Sequence, residues 1–309
     1  MVSSRAPLIA LAPDDAPSWM ADAIVAGGGE VVAAPDCAGL IWGLGHDSAG
    51  LERVLARAPQ CRWVQLPFSG VERFSHLFER DDAVTWACAK GAFAMPVAEL
   101  ALGLGLAGLR GIGTYAQATS WGESIGRNLV GGRVTIFGGG GIAQALISLL
   151  QPFDVTITVV RNRIEEMEGV SQVVGIEHGN DVFAGADLVV LALALTPETD
   201  QLIGAGELSL MESHAWLVNV ARGRHVVTDD LVEALRGGVI GGAALDVTDP
   251  EPLPDGHPLW TMPNCIITPH TASNSEMERP LFSARIIENV RRFAAGDELV
   301  GVVAPELGY

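Results

Sequence analysis

Short apolar runs punctuate the chain, separated by stretches that mix apolar and polar positions. Leu8–Leu11, Val31–Ala34, Leu40–Trp42, Trp63–Leu66 and Val84–Ala87 have the length and side chains of buried strands. Ser18–Ala26, Ser48–Ala58 and Val71–Phe78 read as helices between them. A long helical run over Met95–Thr119 separates this series from a second one. Its strands are Arg133–Phe137, Val155–Val160, Val173–Ile176, Leu188–Leu193, Trp216–Val220, Gly242–Leu245 and Cys265–Ile267. Helices fit between them at Ile142–Leu150, Gly206–Met211 and Thr228–Arg236, the last opened by Thr228-Asp229-Asp230 as an N-cap with an acidic first turn. Strand and helix in alternation predict parallel sheets covered on both faces. The last helical stretch, Ser275–Ala295, lies beyond the second series and returns to the first. The expected layout is a discontinuous domain, 1–94 plus 277–309, with a second domain, 95–276, inserted into it.

A length of 309 residues agrees with two domains. With 49% hydrophobic and 18% charged residues the chain is a well-buried globular protein rather than a disordered one. Its net charge of −18 sets it against nucleic acid and anionic membranes, and means that an anionic ligand must be drawn in by local cations. Lys90 is the only lysine, so chemistry on a lysine amine has a single candidate. Cys37, Cys61, Cys88 and Cys265 sit among apolar residues without metal or disulfide spacing and read as buried thiols. No metal site is expected. The N-terminus lacks a signal-peptide pattern, and the longest apolar stretch, Val97–Leu109, carries Glu99 and is too short to span a bilayer. The expected location is cytoplasmic.

Candidate chemistry begins directly after RVTIF, where Gly138-Gly139-Gly140-Gly141-Ile142-Ala143 opens a helix. In this G-x-G-x-x-A frame, Gly138, Gly140 and Gly141 let the backbone approach a pyrophosphate, and the helix start at Ile142 offers free N–H groups and a positive dipole end. Position between a strand and a helix is what raises the glycine run to a dinucleotide signal. The next strand, DVTITVV, runs into Arg161-Asn162-Arg163 rather than into the carboxylate that accepts from a ribose 2′-OH. Two guanidiniums can clasp a 2′-phosphate, so NADP(H) is expected over NAD(H).

Three residues then follow apolar strands in order: Arg222 in NVARG, Glu251 in DVTDPEPL and His270 in TPHTA. Singly, they read more readily as a surface or ion-pair arginine, a loop acid and a core histidine. Together they supply a fixed cation for a carboxylate, a proton donor, and an acid to orient that donor. That set suits reduction of a 2-oxo acid beside a hydride source.

At these motifs the chain resembles the D-isomer-specific 2-hydroxyacid dehydrogenase family. The resemblance runs through PVAELALGL (96–104), the glycine turn, LALTPETDQLIG (193–204), NVARG (219–223), GGAALDVTDPEPLPDGHPLW (241–260) and CIITPHTA (265–272), and less specifically through LPFSGVERF (66–74). It implies an α/β fold of two Rossmann-like or flavodoxin-like parallel-sheet domains, with the cofactor domain inserted into a split substrate domain. It also implies a homodimer joined through the cofactor domains.

By the same resemblance His270 is the acid/base, Glu251 accepts its ring N–H and keeps the proton available, and Arg222 grips the carboxylate and polarises the 2-oxo oxygen. Backbone N–H groups of Ser69 and Gly70 hold the carboxylate's other side. Leu193, Ala194, Thr196, Val220 and Ala221 line the cofactor's path, and Asp246 approaches the nicotinamide ribose or amide. The side-chain pocket falls to the 66–74 loop, to residues near Ala92–Met95 and to the C-terminal helix near Met277–Phe282, and Phe68, Phe93 and Met95 suggest an apolar lining.

Two departures from the family pattern stand out. Ala143 replaces the usual third glycine, and Arg161 the usual acid. Basic pairs of this kind mark the NADP-preferring glyoxylate and hydroxypyruvate reductases of the family. Formate dehydrogenases, by the family pattern, carry glutamine where Glu251 stands, and phosphite dehydrogenases a lysine in the substrate loop where this chain has Ser69. A dinucleotide-sensing protein of the corepressor kind, built on the same scaffold, can keep all three residues.

Overall fold

Among the described residues, twelve strands, all parallel within two sheets, account for the apolar runs. The computed structural model describes residues 6–43, 45, 47–78 and 84–304. The first sheet contains β1 (Leu8–Ala12), β2 (Glu30–Val32), β3 (Gly39–Trp42), β4 (Trp63–Gln65) and β5 (Thr85–Ala87), in the order β2-β1-β3-β4-β5. That is the flavodoxin-like order. The second contains β6 (Arg133–Phe137), β7 (Thr156–Val160), β8 (Gln172–Val174), β9 (Leu188–Leu191), β10 (Trp216–Asn219), β11 (Gly242–Leu245) and β12 (Cys265–Ile267). Its order, β12-β11-β10-β9-β6-β7-β8, is a doubly wound Rossmann-like sheet with one strand added at the β11 edge.

Two compact units follow the sheets. One comprises the chain up to Phe93 together with the chain from Asn274 onward; the other is Ala94–Ser273. The ends of the expected first domain, 1–5 and 305–309, lie outside the described residues.

At the centre of the second sheet, β9 is apolar throughout because both faces are buried. Leu188 and Val190 of β9 enter one core with Val134, Ile136 and Val218, while Val189 and Leu191 enter the other with Phe137, Leu217 and Leu245. Each fully buried aliphatic side chain contributes about 1.5–3 kcal/mol. The helix Ala94–Leu109 lies on the first of these faces through small residues: a Cβ on Gly105 would stand 2.8 Å from Leu188, and one on Gly108 only 2.2 Å from the Trp216 ring.

Three expectations are corrected. The helical run over Met95–Thr119 is broken into Ala94–Leu109 and Ile112–Gln117, because Gly111 takes a left-handed φ of +64° and caps the second piece. Val71–Phe78 is a 3-10 turn, Glu72–Phe74, followed by one helical turn, Ser75–Phe78. Thr228 is already helical and does not cap; Val227 precedes it, and the Thr228 hydroxyl donates to Asp249 O at 2.6 Å.

Candidate active site

The strand order of the second sheet reverses between β6 and β9, and a doubly wound sheet takes its ligand outside the carboxyl ends at such a point. Gly138, directly after β6, has φ +110°, and a Cβ there would stand 2.2 Å from Ala192 O beyond β9. No side chain fits between the two strand exits. Gly140 borders open space on its Cβ side. The helix Gly141–Leu150 makes its first hydrogen bond from Gln144 N–H to Gly140 O, at 3.0 Å, so the earlier N–H groups at Gly141 and Ile142 stay outside the helical ladder. Ala143 is fully buried in the adjacent core, which accommodates its methyl group.

Arg161 ends the next strand, its backbone N–H bonded to Val174 O at 2.9 Å. Its side chain crosses Gly139: a Cβ there would meet Arg161 Cδ at 2.7 Å. Asn162 and Arg163 are exposed, and Arg163 Nε lies 4.0 Å from Glu165 Oε1. Close backbone approach, free helix-start donors and two neighbouring guanidiniums fit a dinucleotide phosphate group.

The other half of the site comes from β10, β11 and β12, which run in register through Asn219, Leu245 and Ile267. Residues just past these three emerge at one edge. Asn219, 1% exposed, closes the turn that carries Arg222: its Nδ2 donates to Arg222 O at 2.9 Å and its Oδ1 accepts from Ala221 N–H at 3.0 Å. Arg222 itself donates from Nη1 to Ala221 O at 2.8 Å. Gly223 is required next to it, since a Cβ would come within 1.9 Å of Thr248 O. The arginine turn is thereby pressed against the backbone that leads to Glu251.

Asp246, one residue beyond β11, is 2% exposed and turned onto the β12 exit. Its Oδ1 accepts from Thr268 Oγ1 at 2.6 Å and from Thr271 N–H at 2.9 Å; its Oδ2 accepts from Ala272 N–H at 3.1 Å. Its backbone O accepts from His270 N–H at 2.8 Å. These bonds hold His270 at a φ of +49°, a left-handed backbone that costs a non-glycine residue about 1–3 kcal/mol unless its surroundings impose it. The imidazole is half exposed, and its Nδ1 lies 2.7 Å from Glu251 Oε1.

Between the two halves runs the segment after β9. Leu193 and Ala194 are half-buried, and Thr199 Oγ1 ties the turn by donating to Ala194 O at 2.8 Å and accepting from Thr196 N–H at 2.8 Å. His225, fully buried, holds the same turn from the other side with Nδ1 2.8 Å from Thr199 O. Burial pushes its pKa below the ordinary histidine value of 6.5, and the nearby Arg222 cation lowers it further. A neutral His225 therefore donates from Nδ1. Val220 and Ala221 are buried. Asn219 and Thr199 lie inside the motifs NVARG and LALTPETDQLIG, which assign them no role, and His225 lies outside every motif.

In the first unit, the loop after β4 carries Ser69 and Gly70. Ser69 Oγ donates to Ala89 O at 3.2 Å, which leaves the backbone N–H groups of Ser69 and Gly70 as the loop's donors; among the described residues neither has an acceptor. Phe68 is half-buried and Phe93 buried, while Met95, in the second unit, is half exposed. On the C-terminal helix Met277 is exposed, and Phe282 is buried edge-on against Trp19, ring centroids 6.3 Å apart. Among the described residues no cluster of His, Cys, Asp or Glu could hold a metal, and no helix is long and apolar enough to cross a membrane. The four cysteines are buried free thiols, and burial raises the pKa of Cys265 to about 12.

Residues 102–272 match the family model of the D-isomer specific 2-hydroxyacid dehydrogenase NAD binding domain, more than half of the chain. The chain belongs to this family. A relative from Corynebacterium melassecola, an uncharacterised protein of the proB 3′ region, is 39% identical over 80% of this chain and 84% of its own length. The human glyoxylate reductase/hydroxypyruvate reductase is 35% identical over 59% of this chain, and the match spans only 56% of the human protein. The crystal structure of a D-isomer specific 2-hydroxyacid dehydrogenase from Xanthobacter autotrophicus Py2, in complex with NADPH and MES, superposes with a TM-score of 0.83 at 29% identity, covering 99% of this chain and all of that one. The fold is thus that of the family, two parallel-sheet α/β domains, and the family is one of NAD(P)-linked oxidoreductases.

Proposed function

We propose that this family member reduces small 2-oxo acids of the glyoxylate and hydroxypyruvate type with NADPH. The pairing of His270 with Glu251, at the carboxyl edge of the sheet that also bears the glycine turn, carries the reading. A bound nicotinamide supplies the hydride. Gly138, Gly140, Gly141 and Ile142 hold the pyrophosphate; Arg161, Asn162 and Arg163 hold the 2′-phosphate; Leu193, Ala194, Thr196, Val220 and Ala221 line the path between. Glu251 fixes the proton of the neutral imidazole on Nδ1, and the doubly protonated ring delivers a proton from Nε2 to the carbonyl oxygen. Arg222 binds the substrate carboxylate and stabilises the oxyanion as it forms. In the first unit, the backbone N–H groups of Ser69 and Gly70 are the candidate carboxylate donors. Asp246 acts by shaping the turn that carries His270.

The dinucleotide preference rests on Arg161 lying across the glycine turn. A second copy is the partner we assign to the inserted unit, where Trp121 is fully exposed and Ile112 and Ile125 are half exposed; sedimentation as a monomer would refute it. Mixing the protein with NADPH and glyoxylate or hydroxypyruvate, and following absorbance at the nicotinamide band, tests the activity. No NADPH oxidation across a panel of 2-oxo acids removes the reductase reading.

A further inference from the structure

Arg285 lies in the middle of the helix Ser275–Ala295, remote in sequence from every motif. Its guanidinium forks onto two backbone carbonyls just past β5: Nη1 donates to Cys88 O at 2.7 Å and Nη2 to Lys90 O at 2.9 Å. The residue between them, Ala89, binds the loop after β4 through both of its backbone groups. Its N–H donates to Phe68 O at 2.9 Å, and its carbonyl accepts from Ser69 Oγ at 3.2 Å as well as from Ala92 N–H at 2.8 Å. Segment 88–90 is therefore a rail, gripped by the helix along one side and holding Phe68 and Ser69 along the other.

One helical turn on, Asn289 reaches the start of the same loop. It is fully buried, donates from Nδ2 to Gln65 Oε1 at 2.7 Å and to Val300 O at 2.9 Å, and accepts from Val300 N–H at 2.8 Å. Gln65, also fully buried, passes a hydrogen bond to Leu66 O at 3.0 Å. Such buried polar groups hold their geometry because each loses heavily when unpaired. The fork also demands arginine: a lysine presents a point charge that caps one carbonyl well and two poorly.

We propose that Arg285 is a positioning residue for the carboxylate-binding N–H groups of Ser69 and Gly70, acting through the Cys88–Lys90 rail. This rests on the 2-oxo acid reading above. Displacing a substrate-holding donor by about 1 Å costs up to roughly 100-fold in rate. Loss of the fork consequently weakens the grip on the 2-oxo acid and leaves the dinucleotide, whose contacts lie in the other unit, as tightly bound as before.

The test compares wild type, Arg285→Met and Arg285→Lys with Arg292→Gln, which breaks the Arg292–Glu288 pair on the same helix. KM for glyoxylate should rise at least about tenfold in Arg285→Met and less in Arg285→Lys, with NADPH affinity by fluorescence titration within about twofold of wild type and Arg292→Gln unchanged. In the protein without substrate, the Ala89 amide should exchange hydrogen at least about tenfold faster in Arg285→Met, and at the wild-type rate in Arg292→Gln. A wild-type KM in Arg285→Met, or unchanged exchange at Ala89, overturns the proposal. If Arg285→Met does not fold, a wild-type KM and exchange rate in Arg285→Lys overturn it equally. A wild-type enzyme inert toward every 2-oxo acid defeats the functional reading instead, and the exchange measurement still decides whether Arg285 holds the loop.

Discussion

Glu251 Oε1 holds His270 Nδ1 at 2.7 Å, which leaves Nε2 as the ring nitrogen presented to a ligand. On the proposed mechanism this pair acts in proton transfer and not in cofactor binding. His270→Ala should lower kcat by about 100- to 10,000-fold while NADPH affinity stays within about twofold. Glu251→Gln keeps a hydrogen-bonding side chain in place but removes the charge that stabilises the doubly protonated ring, so it should also cost turnover, by less. Stopped-flow turnover and fluorescence titration separate the two quantities. Turnover retained in His270→Ala would assign the proton to another group.

The proposed preference for NADPH rests on two guanidiniums, and no carboxylate, just past β7. Replacing them by Arg161→Asp with Arg163→Ser supplies an acceptor for a ribose 2′-OH and repels a 2′-phosphate. Charge-assisted hydrogen bonds contribute about 1.5–3 kcal/mol each, so the ratio of kcat/KM for NADPH over NADH should fall by about 100-fold or more. A wild type that already prefers NADH contradicts the assignment.

Asp246 accepts three hydrogen bonds from the turn that carries His270, two of them from backbone N–H groups. Asp246→Asn keeps the shape but sets an NH2 group against one of those donors. A buried donor facing a donor costs about 1–3 kcal/mol. The variant should melt several degrees lower and lose turnover beyond what that melting explains, since the left-handed backbone at His270 loses its restraint. Calorimetry and kinetics at a temperature well below both transitions check the two effects. Full activity with a lowered melting point would limit Asp246 to a structural role.

Much of this site is legible in the sequence because its signals are local. The run from RVTIF into four glycines and a helix needs only neighbouring residues to make sense, and the same is true of Arg222, Glu251 and His270 at the ends of apolar strands. What stays hidden depends on atoms brought together by strand order. Asp246 reads in one dimension as a group approaching the nicotinamide ribose or amide; β11–β12 pairing brings Thr268, Thr271 and Ala272 to its carboxylate. The packing of Phe282 against Trp19 joins residues more than 260 positions apart and carries no local signal. Arg285 carries no motif at all, and its role lies in two carbonyls nearly two hundred residues earlier in the chain.

His225 makes stability depend on pH with a definite sign. Burial is the main reason that its pKa lies below 6.5, with Arg222 adding repulsion and the Thr199 and Leu193 carbonyls and Asp200 opposing it. The folded protein thus takes up a proton at this site less readily than the unfolded chain does. Its contribution is complete above the ordinary value of 6.5 and is lost as pH falls below it through the folded pKa. His225→Asn removes the titration while an amide N–H can still reach Thr199 O. Comparing melting temperatures at about pH 7.5 and about pH 5.5, the drop on acidification should be smaller in His225→Asn than in wild type. An equal drop in both proteins would place the acid sensitivity elsewhere.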